Sequence, residues 1–176
     1  MTLQIFILGT LSEAESHPYD IKKRLLKSLG NTIPINDGTL YYQFDVLQKK
    51  GLIQKLEVVQ SDNRPEKTTY GITDKGLKAL ETEIYAAYQN VTSITALYAT
   101  LFYLDKIDKH KLAYLIEEAI DKRQAKLRLI EETDLDTLQI PQDKQQPLEL
   151  LTDHAYHLIQ SDVAWLQKLL VYVRSE

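Results

Sequence analysis

The stretch from Asn36 to Ile53 constrains this chain more than any other. It begins with a helix-start signal, since the side chain of Asn36 or Asp37 accepts a hydrogen bond from a free backbone N–H of the first turn. Leu40, Phe44 and Leu47 follow at i, i+4 and i+7, one buried stripe of a helix. Gly51 then ends the helix in the manner of a left-handed cap. The opposite face carries Thr39, Tyr42, Gln43, Val46, Lys49 and Lys50. A helix with so narrow an apolar foot must be seated on other elements, and its outward face is polar, aromatic and cationic. Such a helix fits a DNA major groove, where amides read base edges while hydroxyls and ammoniums hold phosphates. An ordinary solvated helix has the same look, so the flanking segments decide.

The chain has 176 residues and 44% hydrophobic residues, enough for one domain with an appendage or two small ones. It has no cysteine, which removes disulfides, thiolate metal sites and cysteine nucleophiles and fits a reducing compartment. The N-terminal apolar run is short and has no basic leader, so neither a signal peptide nor a membrane span is expected, and the expected location is the cytoplasm. The net charge is −4, unevenly placed. Residues 1–76 carry 10 Lys/Arg and 9 Asp/Glu, net +1, and residues 77–176 carry 11 and 16, net −5. Phosphate contact in the first half would therefore need a local patch, not a general field.

Residues 2–13 read as a first helix, apolar over most of its circumference and so buried on several sides, as a helix between a domain and its partner would be. Residues 13–16 read as a loop. His17-Pro18-Tyr19-Asp20 opens a second helix, with proline where its missing N–H costs nothing. Ile21, Leu25, Leu26 and Leu29 face inward on it; Lys22, Lys23, Arg24 and Lys27 form a cationic side that suits either solvent or a DNA backbone. Gly30-Asn31 ends it. Past the opening helix, residues 52–60 and 66–73 alternate around a turn at residues 61–65, a two-stranded hairpin with Arg64 at its tip and Lys67 on its shoulder. Three helices followed by a hairpin is the layout of a winged helix-turn-helix, in which the hairpin grips the flanking minor groove or phosphates.

Thr73-Asp74 starts a further helix with Leu77, Leu80, Ile84 and Ala87 on one face, and Ile94, Leu97, Leu101 and Leu104 form the next stripe. Whether these make one helix or two with a bend at residues 90–93 is open from the pattern. Asp108 starts another helix, with Leu112, Ile116, Ile120, Leu127 and Ile130 along it. Residues 134–146 read as a loop, and Pro147 as the opening of the last helix. That helix shows two adjacent stripes, one through Leu151, Leu158, Trp165, Leu169 and Tyr172, the other through Ile159, Val163, Leu166, Leu170 and Val173. Two stripes need more cover than one neighbour supplies, which points to a second copy of the chain, with Leu158, Trp165, Leu166, Leu169 and Leu170 as dimerisation residues. Asp162 interrupts the first stripe and needs a basic partner or a solvated gap. The expected fold is mainly α with a small β-hairpin: an N-terminal winged helix-turn-helix DNA-binding domain over residues 1–80 and a C-terminal α-helical dimerisation and effector domain over 81–176.

Asp37-Gly-Thr-Leu-Tyr41, Leu47, Gly51-Leu-Ile53, Arg64-Pro65 and Tyr70-Gly-Ile-Thr-Asp-Lys-Gly76, in this order, resemble the PadR family of transcriptional regulators. His17-Pro-Tyr19 and Leu8-Gly-Thr-Leu11 fit that family's first two helices, and Ala164-Trp165-Leu166 is similar to the tail of its larger subgroup. The resemblance implies a homodimer on double-stranded operator DNA, usually a repressor, released by a small molecule that is a phenolic acid in the founding members. It places Thr39, Tyr41 and Tyr42 on the recognition helix and Arg64 and Lys67 on the wing. With the outward residues of the two helices, the DNA-contact set is Tyr19, Lys22, Lys23, Asn36, Thr39, Tyr41, Tyr42, Gln43, Lys49, Arg64 and Lys67. The chain departs from the family at Tyr42, where proline is common, and at Asp45, Val46 and Glu66, where basic residues are common. A winged-helix scaffold that works through protein contacts, without DNA, is the alternative these departures favour.

Enzyme chemistry has little support: there is no phosphate-binding glycine loop and no His-Glu-x-x-His pair, and the chain is not expected to be an enzyme. No cofactor is expected, and no metal, since His154 and His157 beside Asp153 lack the further ligands a site needs. Glu117, Glu118, Asp121, Glu131 and Glu132 read as solvated faces with basic partners. Tyr98, Tyr103, Tyr114, Tyr156 and Tyr172 either line an aromatic effector cavity or pack in the core and interface.

Overall fold

The structure, a computed structural model, describes residues 2–29, 36–59, 67–133 and 140–175. The first unit, Met1–Ile107, is built on α1 (Thr2–Glu13), α2 (Pro18–Leu29), α3 (Asp37–Lys49), the hairpin of β1 (Ile53–Val59) and β2 (Lys67–Ile72), α4 (Asp74–Gln89) and a 3-10 segment (Ile94–Lys106). The second, Asp108–Glu176, holds α5 (Lys109–Glu132) and α6 (Gln142–Ser175). The chain is thus mainly α with one small antiparallel hairpin, the expected fold class. The boundary expected between residues 80 and 81 falls inside α4, which is continuous; the contacts divide at residue 107 instead.

In the first unit, α1 is the centre. Every residue from Ile5 to Leu11 is buried, and the cover comes from α2, α3, α4, β2 and the 3-10 segment of the same unit. Its all-round apolarity is therefore already accounted for by the core of its own unit. The stripe of α3 is as expected: Leu40, Phe44 and Leu47 are buried, each worth about 1.5–3 kcal/mol by transfer. The Phe44 ring lies 4.9 Å from that of Tyr70 on β2, which seats α3 on the hairpin. Leu26 and Leu77 were expected inside but are 40% and 44% exposed, because Ile21 and Leu25 already fill the inner side of α2, and Leu80, Ile84, Tyr85 and Tyr88 that of α4.

The joints of the wing account for several of the motif residues. Gly51 has φ +70°, the left-handed conformation that ends α3. Thr73 caps α4 by accepting from the Gly76 N–H, and its hydroxyl donates to the Gly51 and Leu52 carbonyls at 2.8 and 3.1 Å. A Cβ at Gly76 would run into the Leu52 carbonyl oxygen, so glycine lets the start of α4 close onto the end of the helix-turn-helix. The hairpin pairs Ile53 with Ile72 and Lys55 with Tyr70, then shifts register before Val58. Ser16, in the expected loop, adds a one-residue third strand by exchanging two backbone hydrogen bonds with Tyr70.

Residues 74–106 form two elements, separated at residues 90–93, and the second is kinked at Tyr103. Tyr103 is buried, its hydroxyl 2.9 Å from Thr10 Oγ1 and donating to the Phe6 carbonyl of α1. Tyr88 is paired with Thr100 at 2.8 Å, and burial pushes its hydroxyl up to about 12.

In the second unit, α5 starts at an Asp108 cap whose carboxylate accepts from the Lys111 N–H, and it packs along α6. Helix α6 starts at Gln142, so Pro147 lies inside it and residues 142–146 are not loop. At that depth proline removes one i→i−4 bond near the free end, which a 34-residue helix tolerates. Of the two stripes on α6, the one through Val163, Leu166 and Val173 is buried together with Leu169, while Leu151, Leu158 and Tyr172 remain exposed. Asp162 has its basic partner: Arg123, itself 9% exposed, donates Nε–H to Asp162 Oδ2 at 3.2 Å. Among the described residues no helix is long and apolar enough to cross a membrane.

Candidate nucleic-acid interface

Helices α2 and α3 present the candidate surface. Asn36 caps α3 by accepting from the Thr39 N–H at 2.7 Å, so its amide is partly committed to the fold. Thr39, Tyr41, Tyr42 and Lys49 are exposed on α3, Tyr41 at 50% and Tyr42 at 64%, and Gln43 is half-buried. Among the described residues, none covers Thr39, Tyr41, Tyr42 or Lys49. On α2, Tyr19 is 62% exposed and Lys23 and Lys27 are exposed. The α2 start is set by His17, whose Nδ1 accepts from the Tyr19 N–H at 3.1 Å. Arg64 lies outside the described residues, as does the side chain of Lys67, which begins β2.

The electrostatics of this surface are not those of a bare cationic patch. Lys22 Nζ donates to Asp37 Oδ1 at 2.6 Å, which ties α2 to the first turn of α3. Asp45 pairs with Lys49 one turn along α3 and raises the lysine pKa by hydrogen bonding and charge. Arg24 pairs with Glu13 of α1. The Asp45–Lys49 pair was legible from its i, i+4 spacing. The Lys22–Asp37 pair was not, because its members are fifteen positions apart and meet only when α2 and α3 pack against each other.

The remaining site residues fall as follows. Of the dimerisation set, Leu158 is 54% exposed, Trp165 and Leu170 are half-buried, and Leu166 and Leu169 are buried within their own unit. The last two are core residues of the α5–α6 pair. Leu150, Leu151, Val171 and Tyr172 add exposed apolar surface on α6. Of the five tyrosines weighed for a cavity, Tyr103 is core, while Tyr114 is 60% exposed and lines an open groove of about 570 Å³ with Glu117, Glu118, Asp121, Gln167 and Leu170. Tyr156 donates to Glu131, and Arg174 pairs with Glu117. His157 Nδ1 sits 3.4 Å from Asp153 Oδ1, and among the described residues no metal-holding group of acidic and histidine side chains occurs.

Residues 7–82 match the transcriptional regulator PadR-like family. Among solved structures, the chain is similar to Bacillus subtilis PadR in complex with operator DNA, at 21% identity over 98% of this chain and 99% of that one, with a TM-score of 0.44. It is similar to the same protein in complex with p-coumaric acid, at 20% identity over 99% of each chain and a TM-score of 0.38. It is also similar to smu.1604c from Streptococcus mutans UA159, at 26% identity over 96% of this chain and 98% of that one, with a TM-score of 0.45. No curated protein matches the sequence. The match to the PadR-like family of transcriptional regulators thus covers residues 7–82, the part of the chain that holds α2, α3, the hairpin and the start of α4.

Proposed function

We propose that the protein is a homodimeric repressor that binds a palindromic operator and releases it on binding a small aromatic effector. Helix α3 enters the major groove, α2 lies along the flanking backbone, and the hairpin grips the adjacent groove. The observation that carries this reading is the uncovered face of α3: Thr39, Tyr41, Tyr42 and Lys49 stand exposed on a helix whose opposite side is anchored by Leu40, Phe44 and Leu47. Hydroxyls and the ammonium suit phosphates, and the tyrosine rings suit thymine methyl groups and sugar edges. Winged-helix function is assigned to the N-terminal part and pairing to the tail helix, whose exposed Leu151, Leu158 and Tyr172 are the surface a second copy would cover. The effector follows from the family resemblance alone.

The carboxylates of Asp37 and Asp45 on the same helix favour the other reading, a scaffold that meets proteins instead of DNA. In vitro selection from a random duplex library separates the two. A palindromic sequence enriched at physiological salt, and lost in a Thr39→Ala/Tyr42→Ala variant of unchanged circular dichroism, supports the repressor. A library that stays random leaves the scaffold standing.

A further inference from the structure

We infer that Asp37 is an internal competitor for a DNA phosphate: its carboxylate holds Lys22 in the free protein, and the operator takes Lys22 from it. This rests on the DNA-binding reading above and adds a device to it. Lys22 reaches from α2 to the first turn of α3 and meets Asp37 Oδ1 at 2.6 Å. The two partners differ in freedom. The Lys22 side chain is 23% exposed, so its stem is held between the helices, whereas that of Asp37 is 67% exposed and free to swing away. The corner is also the N-terminus of α3, where backbone N–H groups and the helix dipole favour an anion. Asp37 fills that place from within the chain. The Asp45–Lys49 pair differs, since both its side chains are more than half exposed on one helix, and such pairs contribute little.

The consequence is thermodynamic. When a free lysine neutralises a phosphate, DNA releases about 0.9 of a condensed cation. When Lys22 leaves Asp37 to do so, the exposed carboxylate takes a cation up from solution, and the two events nearly cancel. The Lys22 contact is then almost silent in the salt dependence. Removing the carboxylate makes it visible: the salt slope of log K steepens by about 0.9, which at about 0.15 M salt is roughly a five-fold gain in affinity.

The test uses the full-length protein and the duplex recovered by in vitro selection on it, with fluorescence anisotropy over a salt series. Asp37→Asn keeps the shape and a hydrogen-bonding group, Asn36 remains as the cap, and Asp37→Ser is a second variant compatible with a helix start. The expected result is tighter binding with a steeper slope in both, abolished by adding Lys22→Ala. Unchanged or weaker binding by folded Asp37→Asn overturns the inference while leaving DNA binding intact. If selection enriches no duplex, the DNA-binding reading itself fails and the competitor role falls with it.

Discussion

Gly9→Ala sets two physical effects against each other, and the structure fixes which one wins. Gly9 lies inside α1, where alanine is the better helix former by about 1 kcal/mol. On local propensity alone the substitution stabilises. A Cβ at this position, however, would overlap the Tyr103 ring. That ring is 2% exposed, and its hydroxyl is held by Thr10 Oγ1 at 2.9 Å and the Phe6 carbonyl at 3.3 Å. It also packs edge-on against Phe6, with centroids 6.1 Å apart, so it has nowhere to turn. Overpacking of this kind costs about 1–3 kcal/mol. Since the ring is pinned, the upper part of that range applies, and the net loss after the propensity gain is about 1–2 kcal/mol. For a chain of this size, that lowers Tm by about 2–8 °C. The assay is thermal and urea unfolding by far-UV circular dichroism. Fluorescence would report elsewhere, because the single tryptophan, Trp165, is on α6 in the other unit. In a Tyr103→Leu background the same change should turn stabilising, as the clash is gone. A Gly9→Ala protein more stable than its parent refutes the account of how the 3-10 segment locks onto α1.

Three further outcomes are expected. Asp162→Ala removes the carboxylate facing Arg123, whose side chain is only 11% exposed, and should cost about 2 kcal/mol in urea unfolding, less than a fully buried pair because Asp162 is 19% exposed; a loss below about 0.5 kcal/mol means the pair does not hold α5 to α6. Tyr88 has a folded-state pKa raised to about 12, so its stabilisation is complete below the unfolded value near 10 and is lost as pH rises through 12; this is on the order of 2–3 kcal/mol, and Tyr88→Phe should lack that alkaline loss in pH-dependent unfolding, whereas parallel curves would contradict it. Leu158→Glu places a charge on the exposed face of α6 and should leave the protomer folded but monomeric in sedimentation at micromolar concentration; an unshifted dimer removes that face from the interface.

The parts of the fold visible in the sequence are those set by local rules. The Asn36 cap, the Leu40–Phe44–Leu47 stripe and Gly51 are all decided within one helix and its ends, and α3 forms as its spacing dictates. The hairpin showed in the same way, through alternation on both sides of a turn. What escaped depends on contacts distant in sequence. The all-round apolarity of α1 reads equally as a core helix or an interface, and only the packing of five elements around it decides. On α6 two stripes are legible, but which one is covered is decided by packing against α5, and the structure buries Val163, Leu166 and Val173. Pro147 misplaced the start of α6 because a proline signals a first turn more strongly than it signals an early interior position. At the candidate interface, the exposed residues of α3 were legible from the helical period. The Lys22–Asp37 bridge was not, since no pattern in either helix announces a partner on the other.

The measurement that bears most directly on the central claim is a hydroxyl-radical footprint of the wild-type protein on its selected duplex. Two chains presenting α3 to one palindrome predict two symmetric protected windows, centred about one helical turn, roughly 10–10.5 base pairs, or a multiple of it apart, both weakened together in Thr39→Ala/Tyr42→Ala. A single unsymmetric window, or protection that survives the loss of Thr39 and Tyr42, would contradict the claim that this helix face is what reads the DNA.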